Sequence, residues 1–144
     1  MSKKPRKIKK KGNATANSRP PLSPQQNLRL QQAFQAQTAG KLAFAESAWR
    51  ALIAEKVRLP QVYLNLGIIC ARTGRQDEAQ NLYKRALAID SRFPEARMHL
   101  ASAYDQSGKT EQAVSAYQRL LSDHPGMVVA RYLLANLLKN EGKI

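Results

Sequence analysis

The stretch TGRQDEA at residues 73–79 returns almost unchanged as SGKTEQA at residues 107–113, so that Gly108 stands in the second copy where Gly74 stands in the first. Steps of the same length in both directions reach two further glycines, and each of the four is followed by a cationic residue: Gly40–Lys41, Gly74–Arg75, Gly108–Lys109 and Gly142–Lys143. The chain has only 7 glycines. Four of them in one register indicate an internal repeat with a period of about 34 residues.

From residue 25 onward, apolar residues recur every three or four positions, which is helical spacing, and no segment alternates with a period of two. A glycine after the last apolar turn suits the left-handed position that ends a helix, and the acidic and amide residues behind it suit the first turn of the next helix. Pro60 and Pro94 stand where the following helices should begin, because the first helical position needs no amide hydrogen. The pattern predicts an all-α chain of helix pairs.

A helix–turn–helix repeat of this length resembles the tetratricopeptide-repeat (TPR) family, in which small residues occupy positions 8 and 20 and an aromatic residue occupies position 24. Counting from Gln26 gives units 26–59, 60–93 and 94–127 and a half unit 128–144. The matching columns are Ala33, Gly67, Ala101 and Ala135 at position 8, Ala45, Ala79 and Ala113 at position 20, and Trp49, Tyr83 and Tyr117 at position 24.

The main departure from the family pattern is at position 4, which carries Arg29, Arg97 and Arg131 where a bulky apolar residue is usual, and only Tyr63 fits. The resemblance implies an α-solenoid of about three and a half repeats over residues 25–144, wound as a right-handed superhelix. Small residues at positions 8 and 20 would let the two helices of a unit approach closely.

Residues 1–24 form a separate segment with four of the seven prolines, and we expect it to be disordered. The formal net charge of the chain is +14, but eight cationic residues and no acid lie in this tail, so residues 25–144 carry only +6. The tail could bind RNA, the ribosome or an anionic surface through its Lys-rich run, act as a nuclear address, or serve solubility alone. The cations of that run are Lys3, Lys4, Arg6, Lys7, Lys9, Lys10 and Lys11.

No residue pattern points to catalysis, a metal or a cofactor. His99 and His124 lie far apart in the sequence without a cysteine or carboxylate at ligand spacing. Cys70, the single cysteine, falls in an inter-helix packing column and is expected to be a buried thiol. The cationic amino terminus lacks the apolar segment of a secretory signal, and we expect a non-enzymatic cytoplasmic protein.

The resemblance implies that partners bind in the concave groove, on positions 2, 5, 9, 12 and 13 of the first helix of each unit. In this sequence an apolar strip is expected from the first two units and a polar surface from the third; the alternative is that the tail or neighbouring helices bury the strip. The predicted groove residues are Leu30, Phe34, Gln37, Gln61, Leu64, Ile68, Arg72, Glu95, Met98, Ser102, Asp105 and Gln106.

Family members that grip the carboxyl terminus of chaperone tails use cationic and Asn side chains at five positions. Asn65 matches one of them, but Leu30, Phe34, Glu95 and His99 occupy the other four. The resemblance therefore implies an adaptor that binds another protein segment. Two alternatives are a repeat region detached from a larger bacterial sulfotransferase or glycosyltransferase and an RNA- or ribosome-associated factor. The apolar last helix, VVARYLLANLLKN, could also pair with a second copy.

Overall fold

The computed structural model describes residues 2–4 and 19–143. Across these residues the chain forms seven helices and no strand, and successive helices pack against each other as hairpins, with α3 also contacting α5. The all-α solenoid prediction is confirmed. The helices are α1 (Pro24–Thr38), α2 (Leu42–Ala54), α3 (Pro60–Arg72), α4 (Gln76–Ile89), α5 (Pro94–Gln106), α6 (Thr110–Asp123) and α7 (Val128–Asn140).

The segment before α1 is only partly described. Residues 2–4 and 19–23 are not helical, and α1 begins at Pro24, one residue before the predicted border. The remainder of the tail, residue 1 and residues 5–18, lies outside the described residues, so the disorder expected for it stays a prediction.

Glycines with positive φ end the first helix of every unit, as the sequence predicts. The φ angles are 77° at Gly40, 81° at Gly74, 73° at Gly108 and 68° at Gly142. The residue after each glycine donates its backbone N–H to the carbonyl five positions earlier: Lys41 to Ala36 (2.8 Å), Arg75 to Cys70 (2.8 Å), Lys109 to Tyr104 (2.8 Å) and Lys143 to Leu138 (2.9 Å). This pattern is the Schellman motif, which uses carbonyls that the helix leaves free.

Two helix ends have features that the repeat pattern does not predict. Lys56 takes the same left-handed position after α2, with φ 60°, and Val57 donates to the carbonyl of Leu52 at 3.0 Å. At the start of α1, the Ser23 Oγ accepts from the N–H of Gln26 (3.1 Å), while Gln26 Oε1 accepts from the N–H of Ser23 (3.0 Å). This reciprocal pair is a capping box, and its signal is the Ser–x–x–Gln spacing.

The small and aromatic columns form the core. Ala45, Ala79 and Ala113 are fully buried, and so are Trp49, Tyr83 and Tyr117 to within 1%. A methyl group added at Gly67 would stand 2.5 Å from Cε1 of Tyr83, closer than atoms can approach. The position-8 residue Ala135 is exposed instead, because no described helix packs on that side of α7.

The arginines at position 4 make polar contacts where a bulky apolar residue is usual, and those of units 1 and 3 reach the far end of the same unit. Arg29 forms an ion pair with Glu55, and Arg97 forms one with Asp123, at the same sequence separation in both units. The third, Arg131, donates to the backbone carbonyl of Pro125.

Unit 2 has Tyr63 at the same position. Its ring lies 4.7 Å from the guanidinium carbon of Arg85, which is cation–π distance. Ile89 stands in unit 2 where Glu55 and Asp123 stand in units 1 and 3, and both Tyr63 and Ile89 belong to the main apolar cluster. Units 1 and 3 therefore join these two positions by an ion pair, whereas in unit 2 both positions contribute to the apolar cluster.

A network of four charged side chains joins the first two units. Arg75 donates to both oxygens of Glu46 at 2.6 and 2.8 Å, and Arg50 donates to Glu46 at 2.8 Å and to Glu78 at 2.6 Å. The hydrogen bonds from Arg75 are the main cause that lowers the pKa of Glu46 from 4.5 to about 2. The carboxylate is therefore ionised, and paired, at any pH near neutrality.

We expect Gly74→Ala to lower the free energy of unfolding by about 1 kcal/mol, because a side chain at φ 81° is strained although no atom lies within 4 Å of its Cβ. Urea denaturation measures the difference. Gly126→Ala is the matched control, since this glycine is equally uncrowded and is not among the positive-φ glycines. Equal stabilities for the two variants would contradict the left-handed requirement.

We expect Glu46→Gln to lower the free energy of unfolding at pH 7 by about 1–2 kcal/mol, allowing for solvent screening of a side chain that is 21% exposed. The lowered pKa means that the ion pairs stabilise the fold fully above pH 4.5 and lose this contribution as the pH falls toward 2. Urea denaturation across this range should show the two proteins converging. Glu141→Gln, a change at an exposed carboxylate outside the network, should follow the wild-type pH profile.

Candidate functional site

The first helices of the units, α1, α3, α5 and α7, carry the predicted concave surface, which we call the inner groove. Its twelve predicted residues differ in exposure. Half of them are exposed, five are partly buried and one is buried. The exposed residues are Phe34, Gln61, Arg72, Glu95, Asp105 and Gln106, the partly buried ones are Leu30, Gln37, Ile68, Met98 and Ser102, and the buried one is Leu64.

The apolar strip of the first two units is narrower than the sequence suggests. Leu64 is only 7% exposed and belongs to the main core cluster, against which Leu30 and Ile68 also pack. Phe34 is 41% exposed, and its ring meets the ring of Trp49 edge-on at 4.9 Å. Phe34 is therefore the principal apolar contact that units 1 and 2 offer to a ligand, and the helices themselves bury Leu64.

Gln37 is held by hydrogen bonds within the protein. Its Oε1 accepts from Nε1–H of Trp49 at 2.8 Å, and its Nε2 donates to Oδ1 of Asn65 at 3.2 Å. Asn65 in turn donates to the carbonyl of Gln61 at 2.8 Å. These bonds join α1 to α2 and α3. The amides of Gln37 and Asn65 are therefore already used in hydrogen bonds between helices of the protein.

The middle of the inner groove carries free charges. Arg72, Glu95 and Asp105 are exposed, and the salt bridges of the described residues include none of them. Burial lowers the pKa of His99, whose ring lies 5.6 Å from that of Tyr83, so this histidine is neutral at pH 7. Two carboxylates thus accompany one guanidinium across α3 and α5, and this part of the groove favours a cationic ligand group.

The groove positions of the half unit place two further apolar residues on α7. Val129 and Tyr132 are 57% and 64% exposed and offer apolar surface at the far end of the groove. They occupy positions 2 and 5 of the half unit, the same columns as Gln61 and Leu64 in unit 2. The repeat register is the signal that identifies them.

The single cysteine lies in the core. Burial raises the pKa of the Cys70 thiol, which is fully buried. Over residues 2–4 and 19–143, no three His, Cys, Asp or Glu side chains are grouped as metal ligands. None of the seven helices has the length and apolar character needed to cross a bilayer.

Comparison with known proteins agrees with this architecture. Residues 29–143 match the family model described as "Cilia and flagella-associated protein 70 middle TPR-like domain". The chain belongs to this family of tetratricopeptide-repeat domains, as the repeat register predicts. A search of curated proteins finds no match.

Solved TPR structures superpose on most of the chain. MamA shares 19% identity at a TM-score of 0.77, over 82% of this chain and 69% of MamA. The first TPR domain of Spaghetti (RPAP3), bound to an HSP90 peptide, shares 17% at a TM-score of 0.76, over 81% of this chain and 93% of that one. The second TPR domain of human RPAP3, in complex with an HSP70 peptide, shares 18% at a TM-score of 0.72, over 78% and 95%. The TM-scores of these superpositions show a common fold.

Proposed function

We propose that the protein is a non-catalytic adaptor that binds a peptide segment of another protein in the inner groove. The observation that carries the proposal is the combination of exposed apolar side chains at both ends of the groove, Phe34 and the pair Val129 and Tyr132, with free charges between them. Exposed apolar patches with polar surroundings are typical of binding surfaces. The TPR domains solved with HSP90 and HSP70 peptides support a peptide as the ligand.

The groove chemistry favours a peptide class other than the carboxyl-terminal tails of those chaperones. Positions where the carboxylate-binding members place cations or Asn hold Leu30, Phe34, Glu95 and His99. A terminal carboxylate would meet the carboxylate of Glu95 and a neutral imidazole. A segment with apolar side chains near its ends fits Phe34 and Tyr132, and a Lys or Arg between those side chains fits the carboxylates of Glu95 and Asp105.

We expect Phe34→Gln to weaken peptide binding about tenfold or more, because it removes the apolar surface that an anchor residue would cover. Peptides selected from a random display library against the wild-type protein serve as probes, with affinities measured by fluorescence anisotropy. Micromolar dissociation constants, about 8 kcal/mol, are the expected scale for such a groove. Leu64 is unsuitable for this test, because a charged substitution there would disrupt the core.

Phe44→Gln is the matched control, since this phenylalanine is 56% exposed on α2, outside the groove positions, and its loss should change affinity less than about twofold. Circular dichroism should give the same helical content for both variants. A second variant, Glu95→Lys, should weaken the peptides that carry a central cation. Selected peptides that bind both groove variants as tightly as the wild type would refute the proposal.

Binding of RNA or an anionic surface by the tail stays a separate hypothesis. Lys3 and Lys4 are exposed, while Arg6, Lys7, Lys9, Lys10 and Lys11 lie outside the described residues. Self-association through α7 likewise stays a hypothesis; it would compete with peptide binding for Val129 and Tyr132.

A further inference from the structure

A second depression opens away from the groove, between α4, α5 and α6. Its volume is about 550 Å³, within the range of small-ligand pockets. The apolar part of its lining consists of Leu87, Leu100, Tyr104 and Ala116, and Arg97 and Arg119 contribute cationic side chains. We call this depression the outer pocket.

The same pocket occurs one repeat earlier in a smaller form. A depression of about 300 Å³ involves α2, α3 and α4, and several of its lining residues lie one repeat before residues that line the outer pocket. Examples of such equivalent pairs are Ile53 with Leu87, Leu66 with Leu100, and Arg85 with Arg119. Both pockets therefore lie at a contact between neighbouring units. The earlier pocket can be compared with the outer pocket residue by residue.

The side chains around the two pockets differ in size at several equivalent positions. Leu82 lines the earlier pocket, and its equivalent in the outer pocket is Ala116. Asn81 is likewise replaced by Ser115. Both changes remove side-chain atoms from the contact, and Leu87 and Leu100 keep the size of their equivalents. The opposite change, Tyr104 in place of Cys70, adds a ring to the lining. The apolar recess of the outer pocket thus lies between the short side chain of Ala116 and the ring of Tyr104.

The charges around the two pockets also differ. In the earlier pocket Arg50 is paired with Glu78, and Arg85 lies over the ring of Tyr63. In the outer pocket the residue equivalent to Glu78 is the neutral Gln112, and the residue equivalent to Tyr63 is Arg97. Arg119 therefore lacks the aromatic partner of its equivalent Arg85, and none of the described salt bridges involves Arg119.

Further cations strengthen the positive potential. The ammonium groups of Lys84 and Lys109 each lie 5.8 Å from the centre of the Tyr104 ring. Arg97 is balanced by Asp123, and Glu111 is the one carboxylate that lines the outer pocket. Cationic groups therefore outnumber carboxylates around an apolar recess, which is the charge complement of an acidic ligand.

We propose that the outer pocket is a second docking site, which takes an acidic peptide segment of a partner protein by inserting one large apolar side chain beside Tyr104 and Ala116. A carboxylate next to that side chain pairs with Arg119. The tail of this chain does not fit, because residues 1–24 contain eight cations and no acid. The site is independent of the inner groove and would let the protein hold two partners at once.

The test is an NMR titration of the full-length, ¹⁵N-labelled protein with the peptide acetyl-Glu-Glu-Phe-Glu-amide. We expect amide shifts at Leu87, Leu100, Ala116 and Arg119, with Ile53 and Leu82 unchanged. Replacing Phe by Ala in the peptide, or Glu by Lys, should abolish the shifts. Absence of shifts at peptide concentrations of about 10 mM, or shifts centred on Phe34 and Tyr132, would overturn the proposal.

Two variants separate the recess from the charge. Ala116→Leu restores the residue of the earlier pocket and should weaken the peptide at least about tenfold while the fold stays intact. Arg119→Glu should weaken it about fivefold or more at low salt, whereas Arg85→Glu, the matched change one repeat earlier, should alter affinity less than about twofold. Wild-type affinity in Ala116→Leu would rule out the recess as the binding site, and library peptides selected for the groove should be unaffected by either variant at the outer pocket.

Discussion

The close approach of the two helices within each unit is the constraint on which the rest of the structure depends. It exists because Ala45, Ala79 and Ala113 are fully buried and because Gly67 leaves no room between its backbone and the ring of Tyr83. With the helices at that distance, the aromatic side chain at position 24 packs against the small residue of its own unit, as Tyr83 does against Gly67, and the ring of Tyr83 also reaches His99 of the next unit. Each hairpin thereby determines where its successor packs, and the repeat register of the sequence becomes a geometric repeat.

Features that depend on the backbone alone could be predicted from the sequence. A glycine in the left-handed position and a proline at the first turn follow from local conformational rules, and those predictions agree with the φ angle of Gly74 and the start of α3 at Pro60. Burial of Trp49 and Ala45 follows from the repeat register in the same way. None of these depends on the identity of a distant side chain.

Features that depend on pairs of side chains were harder to predict. The sequence presents Arg29 and Arg97 as departures from a family pattern, and only the fold brings Glu55 and Asp123 within their reach. The solvent exposure of the groove residues was hard to predict for the same reason. Leu64 occupies a groove column but is buried, because exposure depends on how neighbouring helices fill the space around each residue. A repeat register places a side chain on a face, and its neighbours decide how much of it solvent can reach.

The contacts between units change in character along the chain. At positions related by the repeat, the partly buried ion pair of Glu46 and Arg75 is followed by Gln80 and Lys109, whose side chains meet at 3.3 Å. The core divides in the same direction, since Ala96 and Ala103 of α5 belong to the cluster of the first units and Ala101 belongs to a separate one with α6 and α7. Stability in a solenoid is close to a sum of units and contacts, so a contact can lose charge or volume without loss of the whole fold.

That tolerance explains why the two proposed sites have different origins. The exposed charges of the inner groove, Arg72, Glu95 and Asp105, take part in none of the described salt bridges, so they can vary without breaking an ion pair between units. The outer pocket arises within a contact, where Ala116 replaces a leucine-sized side chain between α4 and α6. A ligand that fills it replaces missing protein atoms and joins α4 to α6, so its binding stabilises the stacking of units 2 and 3.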